Sequence, residues 1–154
     1  MTCRHYSARR QLSVMGALCM GLCALTALAA PPQGLALSKP WLRFVLPSNP
    51  VSGYFTLTNT SSQARVLDGV TSSACGELML HRSVRENGME RMTMEDGVEI
   101  PAHGSLSFAP GSYHLMCVAP TAAVKPGKAI AITLHFSDGS EITADFPVRS
   151  VKDE

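Results

Sequence analysis

Charged residues are scarce in this chain of 154 residues, and neither sign is in clear excess. They make up 16% of the residues, with 13 Lys and Arg against 12 Asp and Glu, for a formal net charge of +1. Together with 45% hydrophobic residues, this composition excludes a chain kept disordered by its own charge. The lack of a basic excess also excludes a protein that holds nucleic acid by bulk charge. We therefore expect a single folded domain.

Acidic residues are missing from the N-terminal part of the chain, where the first is Asp68. Three arginines within the first ten residues precede an uncharged segment, rich in Leu and Ala, at 11–33. This order, with the Ala-Leu-Ala tripeptide at 27–29, is typical of a signal peptide that is cleaved on export. We expect a signal peptide at 1–30, a short linker at 31–38 and localisation in the periplasm. A membrane anchor is the alternative, because the apolar run of roughly 19 residues is just long enough to cross a bilayer.

The cysteines divide between this leader and the mature chain. Cys19 and Cys23 each follow a leucine, whereas a lipoprotein signal needs a small residue before its cysteine, so we reject a lipoprotein leader. Cleavage leaves Cys75 and Cys117 as the cysteines of the mature chain. Two cysteines in an exported protein usually form a disulfide. Two buried thiols, or a thiolate that binds a metal ion, are the alternatives.

Helical periodicity is also missing after residue 37, and short β-rich runs between turn residues take its place. The first run is at 41–46. The clearest is Ala129–Phe136, where apolar residues alternate before the Asp-Gly turn signal at 138–139. About eight or nine such strands at intervals of roughly ten residues predict an all-β sandwich. We place this domain at 39–150, with a short tail at 151–154.

Side chains that bind soft metal ions are concentrated in the middle of the mature chain. All five of its methionines and three of its histidines lie between residues 79 and 116: Met79, His81, Met89, Met92, Met94, His103, His114 and Met116. On a strand, the period of two places His114 and Met116 on the same face. Imidazole and thioether groups suit Cu(I), whereas zinc sites use His, Cys and carboxylates. The cluster therefore indicates a Cu(I) site at an exposed sheet edge. For any one methionine, packing in the core is the alternative.

Four of these residues have a spacing that resembles a known family. His81, Met92, His114 and Met116 match the pattern H-x10-M-x21-H-x-M of the periplasmic copper chaperone family PCuAC. The flanking segments are also similar to those of the family: Gly53-Tyr-Phe-Thr-Leu-Thr-Asn59, Pro110-Gly-Ser-Tyr-His-Leu-Met116 and Phe146-Pro-Val-Arg149. The resemblance extends over about residues 39–150.

The resemblance implies a cupredoxin-like, Greek-key β-sandwich that binds one Cu(I) ion through His81, Met92, His114 and Met116. It also implies a metallochaperone that supplies copper to the copper centres of respiratory haem-copper oxidases. The expected partners are then the copper ion and an oxidase subunit or another copper-transfer protein. We expect no nucleic acid partner and no stable membrane anchor after signal cleavage. Buffering or scavenging of periplasmic copper is the alternative within copper biology.

Four residues near the pattern need a separate interpretation. Met94 stands where the family often has a basic residue, and it is either an auxiliary ligand or a packing residue. Met89 is similarly placed near the site, and packing is favoured more strongly for it than for Met94. His103 lies in a turn where the family usually has a small residue, and we expect it to be solvated. His135 lies on the polar face of a late strand, and we expect a structural role for it.

Other function classes find less support in the chain. A blue-copper site needs a Cys ligand closely followed by a His, but the next histidine after Cys117 is His135. The chain contains no Gly-x-Ser-x-Gly or His-Glu-x-x-His motif, so we expect a protein that is not an enzyme. A β-sandwich that only binds other proteins, with no metal, is the remaining alternative.

Overall fold

The computed structural model describes residues 32–152. The expected signal peptide at 1–30 and the last two residues of the tail lie outside these described residues. Within 32–152 every regular element is a strand, and no helix there could cross a membrane. The ten strands are β1 (Leu35–Phe44), β2 (Val51–Asn59), β3 (Arg65–Thr71), β4 (Cys75–Glu86), β5 (Met89–Met94), β6 (Val98–Ile100), β7 (Gly104–Phe108), β8 (Tyr113–Pro120), β9 (Ala129–Phe136) and β10 (Glu141–Ser150).

The strands follow one hydrogen-bonded path in the order β5-β4-β8-β2-β1-β10-β9-β3-β6, with β7 paired to β2. Strand β1 connects the two halves of this path, since it pairs antiparallel with β2 and parallel with β10. Strand β8 lies between β4 and β2, so strands that are distant in the chain become neighbours. Such interleaving of early and late strands is what a Greek-key connection requires.

The core lies between the two halves of the path. Phe55 of β2 stacks on Phe108 of β7, with ring centroids 4.2 Å apart, and meets the edge of Phe146 of β10 at 5.7 Å. All three side chains are buried, and they belong to one continuous apolar cluster. Side chains from both halves thus form a single core, which is how a β-sandwich buries its inner faces. The expected all-β architecture is confirmed.

The first strand begins earlier than the expected linker allows. Residues 35–38 pair with β2, and Leu35 and Leu37 pack against the core. The register shifts between Ser38 and Trp41, where Lys39 adopts a positive φ of 51° and the next residue is a proline, which has no N–H to donate. This bulge interrupts the alternation of the sequence. Residues 35–38 of the expected linker therefore belong to β1.

Strands β4 and β5 form a hairpin that extends to the edge of the sheet. Asn87 and Gly88 both adopt positive φ, 52° and 81°, as a two-residue type I′ turn requires. Every residue of β5 is exposed. The hairpin therefore presents its methionines to solvent, next to the strand that carries His81.

Candidate metal centre

The candidate centre is built on the three neighbouring strands β5, β4 and β8. His81 of β4 lies directly opposite His114 of β8 on one side and Met94 of β5 on the other. The imidazole rings of the two histidines have centroids 5.9 Å apart, at an angle of 67°. Residues that are directly opposite in an antiparallel pair point to the same face. The register thus brings the two histidines together on one face of the sheet.

A backbone carbonyl group determines which ring nitrogen of His114 carries a proton. Its Nδ1 lies 3.1 Å from the carbonyl oxygen of Ser112, and because a carbonyl can only accept, Nδ1 is the donor. The neutral ring then has its lone pair on Nε2, which is free to bind a metal ion. His114 is only 4% exposed, and the ring of Tyr54 lies 6.5 Å away. The sequence predicts a site at an exposed sheet edge, but His114 is buried.

The surroundings of His81 favour the neutral form of its ring. Its Nδ1 is buried and has no hydrogen-bond partner. Burial of the ring lowers the pKa of His81 from its usual value of 6.5, and the neighbouring His114 contributes in the same direction. A neutral imidazole with an unsatisfied nitrogen is suited to donate a lone pair to a soft cation.

Thioether groups surround the histidine pair on the same face. Met116 follows His114 by two positions and lies opposite Met79 of β4. Met92 lies opposite Ser83, two positions beyond Met94 on β5. The four residues of the sequence pattern therefore share one face, and Met79 and Met94 share it with them. Met79 belongs to the cluster of soft ligands in the sequence but not to the four-residue pattern, and only the pairing of β4 with β8 places it beside Met116.

Met89 lies on the other face of β5. It is opposite Glu86, three positions from Ser83, so its side chain points away from the histidine pair. Its exposed fraction, 67%, is close to the 62% of Met92 and the 64% of Met94. Met89 therefore lies on the same strand as Met92 and Met94 and is similarly exposed, but its side chain faces away from the candidate centre.

The two other histidines of the mature chain lie away from this centre. His135 has both ring nitrogens engaged, Nδ1 with Glu141 at 2.9 Å and Nε2 with Thr71 at 2.8 Å, which supports the expected structural role. His103 lies in the turn before β7, with φ at 49°. Strand β7 pairs with the C-terminal part of β2, whereas β8 pairs with the N-terminal part. His103 is thus at the opposite end of β2 from Met116.

The donor atoms of the candidate centre are those of soft ligands. Within residues 32–152, no group of three or more His, Cys, Asp or Glu side chains is arranged to hold a metal ion. The centre offers two imidazoles and several thioethers, a neutral set that suits a soft monovalent cation.

Cys75 and Cys117 form a disulfide, with their Cα atoms 5.4 Å apart. This confirms the first of the three alternatives considered for these residues. Cys117 is fully buried and follows Met116 directly, so its side chain points to the core face of β8. Neither sulfur is therefore a thiolate ligand for a metal ion at this centre.

A family model described as "Putative lipoprotein LpqE-like" matches residues 35–148 of the chain. The chain belongs to the LpqE-like family. A relative from Leifsonia xyli subsp. xyli, "Putative lipoprotein Lxx21020", is 36% identical over 118 residues, which are 76% of this chain and 70% of the relative. "Uncharacterized protein RP573" of Rickettsia prowazekii is 29% identical over 111 residues, 67% of this chain and 60% of that protein.

PCuAC domains are among the solved structures that are similar to this LpqE-like protein. The copper-bound PCuAC domain of PmoF2 matches with a TM-score of 0.66 and 23% identity, over 80% of this chain and 99% of that domain. Cu(I)-bound DR1885 from Deinococcus radiodurans matches with a TM-score of 0.61 and 28% identity, over 82% of this chain and 84% of that one. The expected PCuAC resemblance and the cupredoxin-like β fold are confirmed.

The family description also concerns export. It names lipoproteins, a class of exported proteins, in agreement with the expectation that the LpqE-like protein leaves the cytoplasm. A lipoprotein leader differs from the leader that we expect for this chain. Cys19 and Cys23 each follow leucine, whereas a lipoprotein leader has a small residue before its cysteine. Both cysteines lie outside the described residues, so a cleaved, lipid-free leader at 1–30 stays a prediction.

Proposed function

We propose that this LpqE-like protein is a periplasmic metallochaperone that binds one Cu(I) ion and delivers it to the copper centres of respiratory oxidases. The proposed ligands are His81, Met92, His114 and Met116. The copper ion is cargo in this proposal, so the site has to bind it and release it without catalysing a reaction. A copper-accepting oxidase subunit, or another copper-transfer protein, is the proposed partner.

The observation that carries the proposal is the pair of facing imidazoles among thioethers. His81 and His114 face each other at 5.9 Å, and the hydrogen bond from His114 to Ser112 directs the Nε2 lone pair of His114 away from the backbone. Neutral nitrogen and sulfur donors favour Cu(I) and offer little to hard cations. The Cu(I)-bound state of DR1885, which is 28% identical, supports the same choice of metal.

The position of the centre supports transfer to a partner. One proposed ligand, Met92, lies on the exposed edge strand β5, whereas His114 is buried. A partner can therefore approach from the side of Met92 and replace the thioethers one at a time. Thiolates on the partner would hold Cu(I) more tightly than thioethers, which gives transfer a direction.

Anaerobic titration of the mature protein with Cu(I), in competition with a chromophoric chelator, tests the binding step. We expect one tight equivalent in the parent protein and none in the Met92→Ala/His114→Ala variant. Met89→Ala/His103→Ala is the matched control, because it removes one exposed methionine and one histidine away from the centre, and it should bind as the parent does. Failure of the parent to compete with the chelator would favour a β-sandwich that binds proteins only.

A second experiment separates delivery from buffering. Cu(I)-loaded protein is mixed anaerobically with the copper-free soluble copper domain of a respiratory oxidase, and the two are separated and assayed for copper. Movement of copper to the oxidase domain, faster than from the free chelator complex, supports delivery. Retention of copper by the loaded protein would favour buffering or scavenging.

A further inference from the structure

Strand β5 presents two methionines to the candidate centre, although the sequence pattern uses one. Met94 lies directly opposite His81, and Met92 lies opposite Ser83. In an antiparallel pair, Cβ atoms of directly opposite residues are about 5 Å apart, and diagonal neighbours are roughly 7–8 Å apart. By register, Met94 is thus the β5 residue nearest to His81, and Met92 is the diagonal neighbour.

Both side chains have the freedom to reach the same metal ion. Met92 and Met94 are 62% and 64% exposed, and methionine has three rotatable bonds and no branch. Since Met94 is mostly exposed, its side chain is not needed to fill the core.

We propose that Met94 is a second thioether donor from β5, interchangeable with Met92, for the Cu(I) ion held by His81 and His114. This inference rests on the proposed function, since it concerns the ligands of the same ion. Two alternative donors on an exposed strand let one thioether leave while the other keeps the ion bound. Such an exchange lowers the cost of handing the ion to a partner.

Packing alone accounts poorly for the position of Met94. A methionine retained for packing would be buried among apolar side chains, but Met94 is mostly exposed. Met89 is the comparison on β5 for a methionine that is not a ligand. It is as exposed as Met94, but it faces away from the centre and lies opposite Glu86. Met94, in contrast, has an imidazole as its direct cross-strand neighbour.

The test uses protein labelled with ¹³C in the methionine ε-methyl groups, with the resonances assigned from single Met→Leu variants. Anaerobic loading with one equivalent of Cu(I) is followed by NMR. We expect the ε-methyl resonances of Met92, Met94 and Met116 to shift, and that of Met89 to stay in place. Chelator competition on the same variants measures the effect on affinity.

For affinity, interchangeable donors predict a non-additive result. Met92→Leu and Met94→Leu each weaken Cu(I) binding by less than about tenfold, and the double variant weakens it by more than the product of the two single effects. Met89→Leu leaves the affinity unchanged. Leucine nearly conserves the volume of methionine, and thermal unfolding of each copper-free variant checks that the fold is retained.

Three outcomes would overturn the inference. If Met92 and Met116 shift but Met94 does not, and Met94→Leu binds as Met89→Leu does, Met94 is a surface residue and the proposed function stands. If Met92→Leu or Met94→Leu alone abolishes binding, the two thioethers are not interchangeable. If no methyl resonance shifts and the chelator retains all the copper, the proposed function fails as well.

Discussion

His81 and His114 lie directly opposite each other on β4 and β8, yet their ring nitrogens are satisfied differently. Nδ1 of His114 donates to the carbonyl oxygen of Ser112, whereas Nδ1 of His81 is buried without a partner. The His114 ring is therefore oriented before any metal ion arrives. His81 gains a partner for one of its nitrogens only from a ligand or from a rearrangement. The two histidines thus contribute differently to a site that binds and releases its ion.

Removal of an oriented imidazole should have a large effect on binding. Replacing a residue that only supports a ligand costs roughly 10–100-fold in metal affinity, so we expect His114→Ala to weaken Cu(I) binding by at least about 100-fold. Anaerobic chelator competition measures this. His103→Ala is the control and should leave the affinity unchanged. Equal affinity in the two variants would exclude His114 as a ligand.

The stability of the copper-free protein should fall at acid pH because of His81. Its pKa is lowered in the folded state, so the unfolded chain binds more protons and stability rises with pH in this range. The contribution is fully present above the usual pKa of 6.5 and is lost as the pH falls through the lowered value. Urea unfolding at pH 7.5 and pH 5 should show a smaller loss for His81→Gln than for the parent. The same loss in both proteins would contradict the assignment to His81.

The disulfide should stabilise the fold without contributing to metal binding. Cys75 and Cys117 are 42 positions apart, and closure of a loop of this length in the unfolded chain corresponds to about 4 kcal/mol in the chain-entropy model. We expect the Cys75→Ser/Cys117→Ser variant to lose stability of this order in urea unfolding. It should still bind one Cu(I), because the Cys117 side chain lies on the core face. Loss of the copper equivalent from a folded variant would show that the sulfurs matter to the site.

The contact between the two halves of the sheet should account for much of the stability. Phe146 of β10 is fully buried and meets Phe55 of β2 edge to face. Truncation of such a side chain to alanine costs about 3–5 kcal/mol, and we expect this loss for Phe146→Ala. Phe44→Ala is the comparison, since Phe44 is only partly buried against the core and should cost less. Similar losses in the two variants would contradict this account of the core.

Strand content followed from local patterns, whereas strand boundaries did not always do so. The alternation in Ala129–Phe136 predicts β9 with its observed limits. Residues 35–38 also form a strand, but the bulge between Ser38 and Trp41 disrupts the alternation that would have revealed it. The long β4 extends to a turn at Asn87 and Gly88. Its flanking residues are largely polar and charged, so no hydrophobic alternation marks where β4 ends.

The sequence by itself determined an all-β domain, a pattern of imidazole and thioether donors, and the common face of His114 and Met116, because these depend on composition and on the two-residue period of a strand. It also supplied the two cysteines whose pairing was the first expectation. Only the tertiary structure decided that β4 lies between β5 and β8, and that His81 therefore meets His114 on one side and Met94 on the other. The choice of a partner strand and its register depends on how all the strands bury their apolar faces together. No local segment contains that information, and for this reason the sequence left the role of Met94 open, whereas the folded sheet places it next to His81.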